Sequence, residues 1–367
     1  MKKESKFGLR PGFLISGLLA LALAGCVHVP EPRSQVDGKQ TIHLPTDHAA
    51  HDDFATEWWY YTGVLNDGLG NKYAFHISFF KHWATEEKRY GIPARWFGNP
   101  VQFAQAVVTN LKTGERMKKE VFGTRWLATV GARRDRLCVW TGRWYVMENG
   151  GVHTMRVKFR DVVMDLHMTP RKPWVLHRPS GTVHQTNSIY LSCTRMSVSG
   201  QLKSRKQIRQ LTGEGWADHE MMGLDVARGA VGWDWFAMQL DDGTELMHYK
   251  FRDHQGTSSI QTMTARIDKS GKRRIFGRGD CEVVPLAYWI SPKSGTRFPI
   301  RWKMSIPSEN LVCYLEARFK DGEMCGKVSR IRYWEGLVSV RGEWRGKPIA
   351  GRAYVELTGY DQPLSAN

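Results

Sequence analysis

Three consecutive ionisable residues, Asp218-His219-Glu220, stand among large aromatics: Trp216 precedes them and Trp233-Asp234-Trp235 follows. A carboxyl group against an apolar wall loses hydration, so its pKa rises and it can stay protonated and act as an acid. Indole faces beside it can stabilise a positive charge formed nearby. Side chains alternate along a strand, so Asp218 and Glu220 share one side and His219 takes the other. The three therefore cannot all enter one lumen, and on the residues alone a partly wet polar cap at a barrel mouth is the favoured reading.

A second group lies earlier, where His48, His51, Asp52 and Asp53 precede Glu57-Trp58-Trp59-Tyr60. A His-x-x-His pair beside two aspartates has the donor types for a metal. An exposed polar lead-in to the first strand is the simpler expectation, and no metal site is expected. Glu57, beside two tryptophans, is the better functional candidate. The chain lacks a G-x-S-x-G elbow, a G-x-x-x-x-G-K phosphate loop and a G-x-G-x-x-G fingerprint. His219-Glu220 begins like a zincin motif, but Gly223 stands where the second His belongs.

The elements that must position these residues are strands. Trp58 to Leu65, the turn residues Asn66-Asp67-Gly68, and the alternating run Lys72 to Phe80 read as a hairpin. The pattern recurs 175 positions later: Trp58 falls on Trp233, Tyr60 on Trp235, Leu65 on Leu240, and the turn on Asp241-Asp242-Gly243. That offset is close to half the mature length, so a duplicated all-β unit is the economical explanation. No long stretch keeps a helical period. Many short strands with frequent Gly and Pro imply two barrels side by side, each able to hold a ligand. The expected units are residues 46–200 and 201–367, with a boundary in the polar stretch 196–212.

The first 25 residues read as a lipoprotein signal peptide. Lys2, Lys3, Lys6 and Arg10 make a basic start, Phe13 to Ala24 a short apolar stretch, and Leu23-Ala24-Gly25-Cys26 closes it. The ending resembles a lipobox, which predicts lipidation of Cys26. Residues 26–45, with Pro30, Pro32, Gly38 and Pro45, read as a tether. Val27 after the Cys suggests the periplasmic face of the bacterial outer membrane. Removing residues 1–25 takes away four basic groups and Glu4, lowering the net charge from +17 to +14. A basic, lipid-tethered protein sits close to anionic head groups. The basic residues are scattered rather than gathered in a stripe, so nucleic acid is not expected as a partner. Five cysteines remain after Cys26, with no C-x-x-C pair, and no disulfide is assigned.

The motifs together resemble the AttH-like family of secreted proteins, related to bacterial carotenoid 1,2-hydratases and often labelled predicted hydrolases. The matching segments include Glu57-Trp58-Trp59-Tyr60, Asp218-His219-Glu220 and Gly232-Trp233-Asp234-Trp235, then Leu246-Met247 with Tyr249. Tyr333-Trp334-Glu335-Gly336 and Tyr354-Val355-Glu356-Leu357-Thr358-Gly359-Tyr360 continue the match. The resemblance implies paired lipocalin-like barrels and a hydrophobic or isoprenoid-like substrate. In the hydratase relatives an acid protonates an alkene, a carbocation forms and water captures it, with no cofactor. Carried onto this chain, Asp218, Glu220 or Asp234 is the acid and His219 the proton relay. Trp233 and Trp235 are cation-facing walls, while Glu57, Trp58, Trp59, Tyr60 and Tyr249 contact substrate. Two departures stand out: Met221-Met222 follow Asp-His-Glu where the family commonly has Trp, and Gln105 lies near where relatives often show a His. The competing expectation is a lipocalin-type carrier, which predicts an apolar lining with those carboxylates outside it. Carbohydrate recognition by stacking on tryptophan ranks below both.

Overall fold

The chain is described from a computed structural model, covering residues 41–361 except 84–87, 90–91, 94–99, 124–127, 178–187, 224–229, 254–261, 327–328 and 330. Cys26 and the expected signal peptide lie outside the described residues, as does most of the tether. All described residues belong to one unit spanning 32–367.

The first part contains β1 (Thr56–Asn66), β2 (Lys72–His82), β3 (Lys88–Arg89), β4 (Ile92–Pro93), β5 (Val101–Asn110), β6 (Arg116–Gly123), β7 (Val130–Ala132) and β8 (Cys138–Thr141). It continues with β9 (Trp144–Asn149), β10 (Val152–Lys158), β11 (Val163–Pro170), β12 (Val175–His177), β13 (Ser188–Lys203) and β14 (Ile208–Met222). The second part contains β15 (Gly232–Leu240), β16 (Glu245–Arg252), β17 (Thr262–Ile267), β18 (Arg273–Phe276) and β19 (Glu282–Ile290). It ends with β20 (Arg297–Ile306), β21 (Leu311–Ala317), β22 (Glu323–Cys325), β23 (Arg332–Trp344) and β24 (Lys347–Thr358).

All of these strands except β3 and β4, which pair with each other, make two large antiparallel sheets. The first runs β6-β5-β2-β1-β14-β13-β11-β10-β9-β8-β7 and the second β18-β17-β16-β15-β24-β23-β21-β20-β19, with β12 on β13 and β22 on β23. The all-β, two-barrel expectation is met. The expected division at 200/201 falls inside β13, however. The polar stretch there is a hairpin turn, Ser204 donating its N–H to Gln207 O, and β14 stays in the first sheet.

Period-2 alternation sorts the side chains into three cores. Trp59, Tyr61 and Leu65 of β1 pack with Phe75, Ile77 and Phe79 inside the first sheet. Phe236, Met238 and Leu240 of β15 pack with Trp302, Trp334 and Leu315 inside the second. The opposite faces meet in a third cluster containing Tyr60, Tyr190, Trp216, Trp235, Tyr249 and Tyr354. Each sheet thus fills its own interior and buries part of its outer face against the other.

The duplication is physical. β1 lies between β2 and β14, and β15 between β16 and β24. Gly213 of β14 and Gly351 of β24 hold matching places. A Cβ on Gly213 would come within 2.0 Å of Val64 O, and one on Gly351 within 2.4 Å of Gln239 O; Val64 and Gln239 are themselves 175 positions apart. Both crossings need the close backbone approach that only glycine permits.

Candidate active site between the two sheets

A space for a guest lies between the sheets. A cleft enclosing about 710 Å³ free of protein atoms, part of it open to solvent, is walled by Trp58, Tyr60, Phe80, Tyr190, Trp233, Trp235, Tyr249 and Phe251, with Ser188, Asp218, Glu220 and Glu356 among them. A second space, about 720 Å³ and also partly open, lies within the first part beside Asp52, Lys81, Gln102, Val130 and Trp140. Repeat-related side chains face one another across the cleft between the sheets: Trp58 lies nearly parallel to Trp233, their ring centroids 6.3 Å apart at 18°, and Tyr60 meets Trp235 edge-on at 5.3 Å. The aromatic pairs flank the seam because each belongs to the outward-facing set of its strand.

The carboxyl groups come from both sheets. Asp218 is opposite Tyr60 in the β1–β14 register, and Glu356 is opposite Trp235 in the β15–β24 register. Glu356 is therefore the second repeat's equivalent of Asp218. Asp218 Oδ1 accepts hydrogen bonds from the Ser192 hydroxyl at 2.5 Å and Trp216 Nε1 at 2.7 Å, and Oδ2 accepts from the Tyr190 hydroxyl at 2.9 Å. Trp235 Nε1 donates in turn to Tyr190 at 2.7 Å. Burial raises the Asp218 pKa to about 7 against the pull of those three donors. Burial, the hydrogen bond from Ser188 and the neighbouring Asp218 and Glu356 charges leave Glu220 at about 8, the hydrogen bond alone acting to lower it. Burial and the Asp218 charge raise Glu356 to about 7. Behind the cleft, Tyr60 donates its hydroxyl proton to Glu335, whose other oxygen lies 3.2 Å from His76 Nε2. Burial and the Glu356 charge hold Glu335 well above the usual carboxylate range.

Four expected site residues are elsewhere. His219 points to the opposite side of β14, as alternation requires, and stacks on Trp59 at 5.0 Å. Its Nε2 lies 2.9 Å from Glu57 Oε1. Glu57 is fully buried; its Oε1 also meets His51 Nδ1 at 3.0 Å and its Oε2 lies 2.8 Å from Lys81 Nζ. Glu57, Trp59 and His219 thus brace the first sheet's interior and do not reach the cleft. Asp234 faces away from Trp233 and Trp235, pairing with Arg252 at 3.0 Å and accepting from Tyr360 at 3.1 Å. The lead-in is not the exposed segment expected: His48 is only 3% exposed, with its ring against Trp174. His51, Glu57 and His219 bring three donor atoms within 4.8 Å of one another. Lys81 already supplies a positive charge to Glu57, while the buried His219 Nδ1 has no hydrogen-bond partner among the described residues.

Tyr190, Ser188, Ser192, Glu335 and Glu356 were not singled out as site residues from sequence. A signal for Glu356 was present: a lone carboxylate in the otherwise apolar run Ala353-Tyr354-Val355-Glu356-Leu357. The five cysteines among the described residues are all free.

With this geometry established, comparison with known proteins is informative. The family model described as AttH-like matches residues 35–360. The chain belongs to that family. Among solved structures, an AttH protein from Nitrosomonas europaea is 25% identical and superposes with a TM-score of 0.77, covering 89% of this chain and 99% of that one. Kievitone hydratase from Nectria haematococca shares the fold at 12% identity and a TM-score of 0.66, covering 90% of this chain and 97% of that one. No curated protein sequence matches the chain.

Proposed function

We propose that this AttH-like protein binds an apolar, isoprenoid- or lipid-like molecule in the cleft between its sheets and adds water to it by acid catalysis. The observation that supports this most is the set of carboxyl groups Asp218, Glu220 and Glu356 among aromatic walls, their pKa values raised by burial. Glu220 is the acid. Asp218 is fully engaged by three donors, which orient it and favour its ionised form, whereas Glu220 has fewer partners and the higher pKa.

In the proposed reaction the Glu220 O–H bond breaks as its proton forms a C–H bond with one alkene carbon. The π electrons leave the other carbon cationic, facing the indoles of Trp58, Trp233 and Trp235. A water oxygen bonds to that carbon, and its surplus proton returns to a cleft carboxylate, so the sum is addition of one water. The shared fold with a hydratase is compatible with this chemistry. We further propose that lipidated Cys26 anchors the protein at the periplasmic face of the outer membrane. Retention in the soluble fraction after Cys26→Ser would follow from that; membrane recovery of the variant equal to wild type would contradict it.

Incubation with polyprenyl or carotenoid extract, read by mass spectrometry, tests the activity. Products heavier by one water are expected, absent with Glu220→Gln. Unchanged lipid bound in a one-to-one ratio is the outcome of the carrier reading, which the aromatic lining also supports.

A further inference from the structure

Five buried carboxylates elsewhere among the described residues each have a cationic partner, Glu335 behind the cleft being the exception with Tyr60 and His76. Glu57 has Lys81 at 2.8 Å, Glu245 has Lys172 at 2.5 Å, Glu309 has Arg266 at 2.8 Å, Glu323 has Arg332 at 2.9 Å, and Asp67 has Arg209 at 2.6 Å. The cleft differs. Asp218, Glu220 and Glu356 line one space that, among the described residues, has no Lys, Arg or His in its walls, and none of the three makes an ion pair among those residues. This happens in a chain with 53 Lys and Arg against 36 Asp and Glu, where basic partners are plentiful. Burying three acids together without a counter-ion disfavours their ionised forms, so they keep protons that a guest supplying positive charge would displace. The rest of the lining is aromatic, and ring faces attract cations more strongly as water is excluded.

The geometry points to a guest that is itself positively charged on an apolar body, an alkylammonium or comparable organic cation, with its charge among Glu220, Asp218 and Glu356 and its apolar part along the cleft beside Phe80, Trp233 and Phe251. The inference deepens the proposed function and rests on the cleft being the binding site, but not on hydration. A cation formed along the reaction and a permanent cation would be stabilised by the same groups. Binding such a guest favours the ionised carboxylates and releases protons.

Titration of purified protein at about pH 8 with three probes sharing a twelve-carbon tail tests this: dodecyltrimethylammonium, dodecanol and dodecanoate, each below its aggregation concentration. Tryptophan fluorescence and calorimetry report binding. The ammonium probe should bind about tenfold or more tighter than dodecanol, and dodecanoate weakest. Non-specific attraction to so basic a protein would give the reverse order, with the anion first. Glu220→Gln and, separately, Glu356→Gln should lower ammonium affinity about tenfold while leaving dodecanol unchanged; the second variant guards against misfolding of the first. Lowering the pH from about 9 to 5 should weaken ammonium binding as Asp218 and Glu220 of β14 and Glu356 of β24 take up protons. The phenols facing them, Tyr60 of β1, Tyr190 of β13 and Tyr249 of β16, stay neutral throughout, their pKa values raised by burial. Burial lowers His177 of β12, beside Ser192, to about 3, and burial with the Glu356 charge raises Glu335 of β23. Equal affinity for dodecanol and the ammonium probe, or unchanged ammonium binding in both variants, would overturn the inference while leaving the cleft as a binding site. Failure of every probe to bind would remove both.

Discussion

Glu220 illustrates how one side chain couples stability to chemistry. Its folded pKa of about 8 stands above the unfolded value of 4.5, and Asp218 likewise stands at about 7 above 3.8. Between those limits the folded protein holds protons that the unfolded chain has lost, so stability must fall as pH rises. The contribution is complete below about pH 4 and is lost as pH climbs through about 7 to 8. Urea unfolding across that range should show the decline, and Glu220→Gln should flatten it while abolishing turnover and retaining apolar ligand. A variant with full turnover would remove Glu220 from the mechanism. At this scale alternation was informative: it separated His219 from its neighbours, and the same rule applied to Trp233-Asp234-Trp235 would have removed Asp234 from the cleft. The identity of the acids' partners was not readable, because Tyr60 and Glu335 are 275 positions apart.

At the scale of elements, β1 is buried on both faces, Trp59 and Tyr61 toward the first core and Trp58 and Tyr60 toward the second sheet. A strand covered on both sides has no polar face, so its sequence shows two aromatic sets without telling which one meets a ligand. That is why Glu57 and Trp59 looked equivalent to Trp58 and Tyr60. The hairpin duplication was legible; that its two copies would face each other across a cleft was not, since this depends on how whole sheets pack. Glu57→Gln tests the separation of faces. It deprives Lys81, 2% exposed, of its nearest anion, with Asp52 3.9 Å away. The expected loss is about 3–5 kcal/mol of stability in chemical unfolding, with ligand affinity in the cleft unchanged. Weakened binding in a fully folded variant would instead place Glu57 at the site.

For the whole molecule, function depends on two sheets held at one spacing. Away from the carboxyl cluster, Glu245 of β16 joins them: its oxygens lie 2.5 Å from Lys172 and 2.6 Å from Arg195 of β13. Lys172 also donates to Gly243 O at 2.6 Å and Asp268 O at 2.7 Å. Glu245→Ala leaves Lys172 inside that joint without its anion, while Arg195 keeps Glu214 at 3.0 Å, at a cost of about 3–5 kcal/mol. Calorimetry should show one transition for wild type and two for the variant, with cleft binding weakened although no cleft residue has changed. A single, unshifted transition would show that the joint lies elsewhere.

The most direct measurement of the central claim is a crystal structure with a bromine-labelled long-chain alkene, located by its anomalous signal. The account predicts a bromine peak between the sheets, flanked by Trp58 and Trp233, with the chain within reach of Glu220. A peak inside either sheet's own core, with the cleft empty, would contradict it.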